Sequence, residues 1–170
     1  MDDRCTILIV MGVSGSGKTT IAAALAQHLG WPFKDGDELH SATNIAKMRA
    51  AHPLNDSDRW PWLAQIADWI DTWRAAGSCG VITCSALKRS YRAFLTKGRG
   101  EVRIVYLHGD RALIVNRLAA RSGHFMPSGL LASQFAALEE PGPDENAIRV
   151  VIDQPVSEIV ALIAAALTRS

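Results

Sequence analysis

The string GVSGSGKT at residues 12–19 satisfies the spacing GxxxxGK[ST] in full. Its glycines let a backbone turn tightly and aim successive N–H groups at one point, Lys18 brings a mobile positive charge, and Thr19 offers a hydroxyl to a divalent cation. Such a set cradles the phosphates of a nucleoside triphosphate. Gly12, Ser14, Gly15, Ser16, Gly17, Lys18, Thr19 and Thr20 are therefore expected around the nucleotide, with Lys18 acting on the phosphate that is transferred. A second string, KDGDELH at residues 34–40, places Asp35 and Asp37 on either side of a glycine. Asp-Gly is common in hairpin turns, so by itself this string leaves a catalytic site, a metal site and a plain turn open.

Both strings need elements to hold them. TILIVM, at residues 6–11, is an unbroken apolar run rich in β-branched residues, as in a parallel strand covered on both faces. GVITC, VRIVYL and IRVVID read the same way, and PFK is a shorter candidate. Helical spacing appears between them: Ile21, Leu25 and Leu29; Ile66, Trp69, Ile70 and Trp73, after Pro61 in a first turn and before a stop at Gly77; Ile114 and Leu118 after a cap at Asp110; and Val156, Ile159, Val160, Ile163 and Leu167, opened by Pro155. Strand and helix alternate, which predicts an α/β fold of three layers around a mainly parallel five-stranded sheet. In such sheets ligands sit at the carboxyl ends of the strands, where KDGD falls. Asp35 and Asp37 are two apart, so an extended backbone sends them different ways. One is then free to hold a metal-bound water beside Thr19, the other to accept a hydrogen bond from the attacking hydroxyl.

The remaining pattern narrows the class. Neither DxxG nor NKxD, the strings a regulatory GTPase needs, occurs in the chain. VVID has the form of an ATPase strand ending in an acid, but it comes last, and Asp153 reads better as a helix cap. A small ATP-dependent kinase is favoured. Arg117 and Arg121 share a helical face just before SGHFMPSG, an arrangement suited to a lid that brings two guanidiniums over the triphosphate and excludes water.

The 170 residues, 48% of them hydrophobic, suit one domain. Lys and Arg number 18 against 17 Asp and Glu without a block of like charge, which leaves no footprint for nucleic acid or an anionic membrane. IVALIAAAL is too short to cross a bilayer and MDDRCT is too acidic for a signal peptide, so a cytoplasmic protein is expected. Cys5, Cys79 and Cys84 show no CxxC or zinc spacing and are expected to be free thiols. Of the tryptophans, Trp69 and Trp73 are expected in the core, and Trp60 and Trp62, around Pro61, in packing or a pocket wall.

Beyond the phosphate loop, DGDELHSATNIAKM, PLNDSDRWPWL, CSALKRSYR, YLHGD, RLAARSGHFMPSGLLASQFAALEEP and VVIDQP together resemble the gluconate kinase family over nearly the whole chain. The resemblance implies transfer of the γ-phosphate of ATP, with Mg²⁺, to the 6-hydroxyl of D-gluconate, on a nucleoside-monophosphate-kinase-like or shikimate-kinase-like fold. It implies a single kinase unit over residues 1–170, an acceptor-binding helical region at about 38–76, a lid at about 119–139, and a homodimer. In that reading Lys18, Asp37, Arg117 and Arg121 are catalytic, Thr19 and Asp35 serve the metal, and Gln154 and Pro155 join the nucleotide site. Asp37, Arg59, Ser85, Lys88 and His124 are the candidates to meet the sugar acid, which offers one negative charge and several hydroxyls. The chain departs from the family at two points: Ala51 stands where a glycine is expected two residues before Pro53, and His108 where a lysine is expected before Gly109. A kinase for shikimate or a nucleoside monophosphate, and a nucleotide-dependent switch protein, are the alternatives.

Overall fold

In the computed structural model, which describes residues 5–120 and 128–169, the apolar run before the glycine-rich string forms strand β1 (Ile7–Met11), all five residues buried. β1 lies between β3 (Gly80–Thr83) and β4 (Val102–His108). The two-residue β2 (Phe33–Lys34) and β5 (Ile148–Val151) form the edges, giving the order β2-β3-β1-β4-β5 with every pair parallel. All five strands therefore end on one side of the sheet, the side that carries the glycine-rich string and KDGD.

Period-two alternation divides the core into two layers. On one face Leu8, Val10, Val81 and Val105 pack with Ile21 and Leu25 of α1 (Lys18–Leu29) and with Ile159 and Ile163 of α7 (Val156–Thr168). Ile114 of α5 (Arg111–Ala120) and Leu131 of α6 (Ser128–Ala137) join that layer. On the other face Ile7, Ile9, Met11 and Ile82 meet Leu63, Ile66 and Ile70 of α3 (Asp56–Ala75) and Tyr91 and Leu95 of α4 (Arg89–Thr96). A short α2 (Ala42–Arg49), capped by the Ser41 hydroxyl, precedes α3. The result is the expected three-layer α/β architecture.

Five local expectations are corrected. Pro61 is the sixth residue of α3 rather than part of its first turn, because the helix opens at Asp56 with a capping box: Asp58 N–H donates to Asn55 Oδ1 at 2.9 Å, and Asn55 N–H to Asp58 Oδ2 at 3.0 Å. Trp69 is 38% exposed instead of core, since it sits at the margin of the buried stripe and lies under the Lys34 ammonium, 4.5 Å from the ring centroid. IRVVID is not covered on both faces: β5 is an edge strand that buries Ile148 and Val150 and exposes Arg149 and Val151. Asp153 does not cap α7, whose N-cap is Pro155. Cys5 and Cys79 are a disulfide pair rather than free thiols, as they precede the neighbouring strands β1 and β3 and their Cα atoms are 4.5 Å apart. Cys84 is free and buried, and burial pushes its thiol up to about 12. Among the described residues no helix is long and apolar enough to cross a membrane.

Candidate active site

The chain leaves β1 into the glycine-rich loop and enters α1 through Gly17, which holds a left-handed φ of 90° that glycine alone adopts without cost. The first N–H groups of α1 face the loop, and no acidic residue sits in its first turn to neutralise them. Lys18 Nζ folds back into the loop, donating to Gly12 O at 2.9 Å and Val13 O at 3.1 Å. Ser16 Oγ is buried and meets no hydrogen-bond partner among the described residues. A buried hydroxyl without a described partner, an ammonium resting on carbonyls and the N-terminal end of α1 fit a phosphate group. A cavity of about 320 Å³ opens from the loop, lined by Gly15, Gly17, Thr20, Arg117, Gln154 and Val156 among others. Arg117 is fixed there by donating to the Ile152 carbonyl, while Pro155 lies between two lining residues without lining the cavity itself.

KDGD forms the rim beside this loop. Asp35 is extended, and a 3₁₀ turn over Gly36–Leu39 follows it. Gly36 is required by close approach: a Cβ there would stand 1.9 Å from the Thr83 carbonyl oxygen. The buried Thr83 hydroxyl donates to Asp35 Oδ1 at 3.0 Å and accepts from Gly36 N–H at 3.0 Å, and Asp37 N–H also donates to Asp35 Oδ1 at 3.0 Å. These bonds turn the other oxygen, Oδ2, toward Thr19 Oγ1 at 3.3 Å. A hydroxyl and a carboxylate at one point suit a hard cation, which takes oxygen ligands. Among the described residues no three His, Cys, Asp or Glu side chains gather, so a cation here would draw its other ligands from phosphate and water. Asp37 is exposed, and its charge acts on His40. Burial pushes the His40 imidazole down, with Asp37 opposing and Arg59 assisting that shift. The ring stacks on Trp62 at 4.1 Å, and Trp62 Nε1 donates to Gly36 O at 2.8 Å, which ties α3 to the acidic rim.

A second cavity of about 230 Å³ is lined by Arg59, Lys88, Asp56, Asn55, Ser133 and Ala137, with Pro53 and Leu54 at its edge. Lys88 Nζ donates to Asp56 Oδ1 at 3.0 Å, and Tyr91 Oη donates to the same oxygen. The Tyr91 and Lys88 hydrogen bonds hold the Asp56 carboxyl below its usual range. Ser85 is half-buried in the turn that carries Lys88, but it is not among the residues lining the cavity. That turn includes Ala86 at φ 45°, and the buried Arg92 guanidinium holds it by donating to Ala86 O at 2.9 Å and Leu87 O at 3.2 Å. The structure thus gathers Lys18, Thr19 and Asp35 at one point, and Arg59 and Lys88 at another. Arg121 and His124 lie outside the described residues. Sequence reasoning passed over Thr83, Arg92 and Gln134, which orient site residues from behind. Single polar residues inside strands or helices carry no spacing signal; only their proximity in the fold reveals them.

Residues 7–141 match the profile of a family described as an AAA domain. The chain is 51% identical to a gluconokinase of Gluconobacter oxydans over 84% of its own length and 80% of that protein. It is 46% identical to the thermoresistant gluconokinase of Escherichia coli over 91% of its own length and 89% of that protein. The crystal structure of a gluconokinase from Sinorhizobium meliloti superposes with a TM-score of 0.88 at 44% identity, covering 99% of this chain and 94% of the other.

Proposed function

We propose, from the premise that this chain belongs to the gluconokinase family, that it moves the γ-phosphate of ATP to the 6-hydroxyl of D-gluconate, giving 6-phosphogluconate and ADP. The observation that carries the reading is the run of contacts from Thr19 through Asp35 to Asp37, whose charge acts on His40 together with that of Arg59, a cation that lines a small cavity with Lys88. Nucleotide phosphates belong on the loop side of this run and a small acid on the other.

Lys18 exchanges the Gly12 and Val13 carbonyls for oxygens of the transferring phosphate, stabilising charge where it develops. Asp37 accepts the proton of the attacking hydroxyl. Thr19 and Asp35 would hold Mg²⁺, which when bound supplies positive charge to the β- and γ-phosphates. Arg59 meets the gluconate carboxylate, because Lys88 already shares its charge with Asp56; Lys88 borders the hydroxyls, and Ser85 supports it from the same turn without lining the cavity. Arg117, with Gln154 and Pro155 nearby, closes the nucleoside side. Arg121 and His124 belong to a lid at about 119–139 that covers an acceptor region at about 38–76, in a single kinase unit that works as a cytoplasmic homodimer. ADP release from Mg-ATP, compared across D-gluconate, D-glucose, shikimate and AMP, tests the reading. Gluconate is expected to drive release far faster than any other acceptor; equal rates with glucose, or no acceptor dependence, would contradict it.

A further inference from the structure

Helix α6 borders the second cavity, and one glutamine on it reaches the phosphate loop. Gln134 Oε1 accepts from Ser14 N–H at 2.7 Å, and Gln134 Nε2 donates to Ser14 Oγ at 2.9 Å. Both polar ends of one side chain therefore grip a single loop residue, which fixes its orientation as well as its distance. Gln134 is half-buried, so water competes weakly for these bonds. Ser133, the preceding residue, and Ala137, one turn later, line the second cavity with Arg59 and Lys88. Neighbouring positions of one helix thus face the acceptor side and the phosphate side.

The helix is anchored so that the two sides move together. Leu130 and Leu131 are buried. Just beyond its C-terminus, Glu139 N–H donates to Leu87 O at 2.8 Å, in the turn that carries Lys88. An occupant lodged against Ser133 and Ala137 limits the positions open to α6, and Gln134 passes that limit to Ser14. In the free protein the same bonds hold a backbone N–H that would otherwise be available to a phosphate oxygen.

We infer that Gln134 is a positioning residue that couples occupancy of the acceptor cavity to the setting of the phosphate loop at Ser14. The inference rests on reading the second cavity as the acceptor site. Coupling of this kind is a ratio of affinities and is reciprocal, so it is measured by binding without turnover. The experiment is calorimetric titration of the full chain with a non-hydrolysable ATP analogue and Mg²⁺, with and without saturating D-gluconate, for the wild type, Gln134→Met and Ser14→Ala. The wild type is expected to bind the analogue about tenfold more tightly when gluconate is present. Gln134→Met keeps the side-chain length without its polar atoms, and its ratio is expected to fall below about twofold while each ligand alone binds within about threefold of wild type. Ser14→Ala loses only the bond to Nε2 and is expected to fall between the two; it carries the test should Gln134→Met fail to fold by circular dichroism. A wild-type ratio of one, or an unchanged ratio in the variants, overturns the role of Gln134 and leaves the substrate reading in place. Absence of gluconate binding to the wild type overturns the substrate reading, and this inference with it.

Discussion

Replacing Arg92 with methionine should unsettle the acceptor side of the site from within the core. The Arg92 side chain is 1% exposed, donates from Nε to Glu145 Oε1 at 2.6 Å and from Nη2 to Glu145 Oε2 at 3.1 Å, and holds the Ala86 and Leu87 carbonyls. Methionine fills part of the space but takes the guanidinium from the Glu145 carboxylate, which keeps the Gly142 N–H, and from the Ala86 carbonyl, while Leu87 O keeps the Glu139 N–H. Breaking a buried pair costs roughly 3–5 kcal/mol; Glu145 remains 13% exposed and keeps some water, so the lower end, about 3 kcal/mol, is expected. For a chain of this length that lowers Tm by roughly 6–12 °C. Glu145→Leu alone strands Arg92, whereas the double variant strands neither charge, so urea unfolding should give a coupling energy of at least about 1.5 kcal/mol. The pH dependence follows from Glu145. Burial pushes its carboxyl up, but the hydrogen bonds from Arg92 and Gly142 N–H outweigh burial and leave it below its ordinary value of 4.5. A depressed carboxyl stabilises the fold above that ordinary value and loses its contribution as pH falls through the folded value, so wild type and Arg92→Met should converge in acid. The KM for gluconate should rise in Arg92→Met, because the turn carrying Ser85 and Lys88 loses its anchor. A loss under about 1 kcal/mol, or additive single and double variants, would refute the reasoning.

Ala51 adopts a left-handed φ of 61°, so Ala51→Gly should stabilise the fold by about 0.5–1 kcal/mol in thermal melts; a lower Tm would contradict the strain. The Cys5–Cys79 link spans a separation of 74 residues, worth up to about 4.5 kcal/mol on a chain-entropy basis. Denatured protein should then titrate one thiol without reductant, Cys84, and all three after reduction; three thiols without reductant would remove the link. Asp35→Asn should shift the Mg²⁺ dependence of turnover and regain activity at high metal, whereas Asp37→Asn should stay low while ATP still binds. Near-normal turnover in both variants would reduce KDGD to a turn.

The sequence carried the layout because its strongest signals are local. An apolar run, a glycine-rich string and an amphipathic helix in succession define the strand, loop and helix around residues 6–29, and α1 with the phosphate loop follow as expected. The opening of α3 was hidden because Pro61 drew the boundary toward itself, although NDSD at residues 55–58 already held the capping box. The missing glycine at position 51 is explained by the fold: the position is left-handed and alanine occupies it. What stayed illegible depends on contacts across the chain. Thr83 meets Asp35 from 48 positions away, Arg92 meets Glu145 from 53, and Gln134 meets Ser14 from 120, and no periodicity along the sequence encodes such meetings. The disulfide was missed for the same reason, since Cys5 and Cys79 become neighbours only when β1 and β3 pair.

The central claim is that a phosphoryl group passes to the primary hydroxyl of a sugar acid held beside Asp37. Proton-coupled ³¹P nuclear magnetic resonance of the product from Mg-ATP and D-gluconate reads this directly. A phosphate monoester split into a triplet by the two methylene protons of C6, in step with ADP formation, is the predicted result. A doublet, which marks attachment to a secondary hydroxyl, or inorganic phosphate alone, which marks transfer to water, would contradict it.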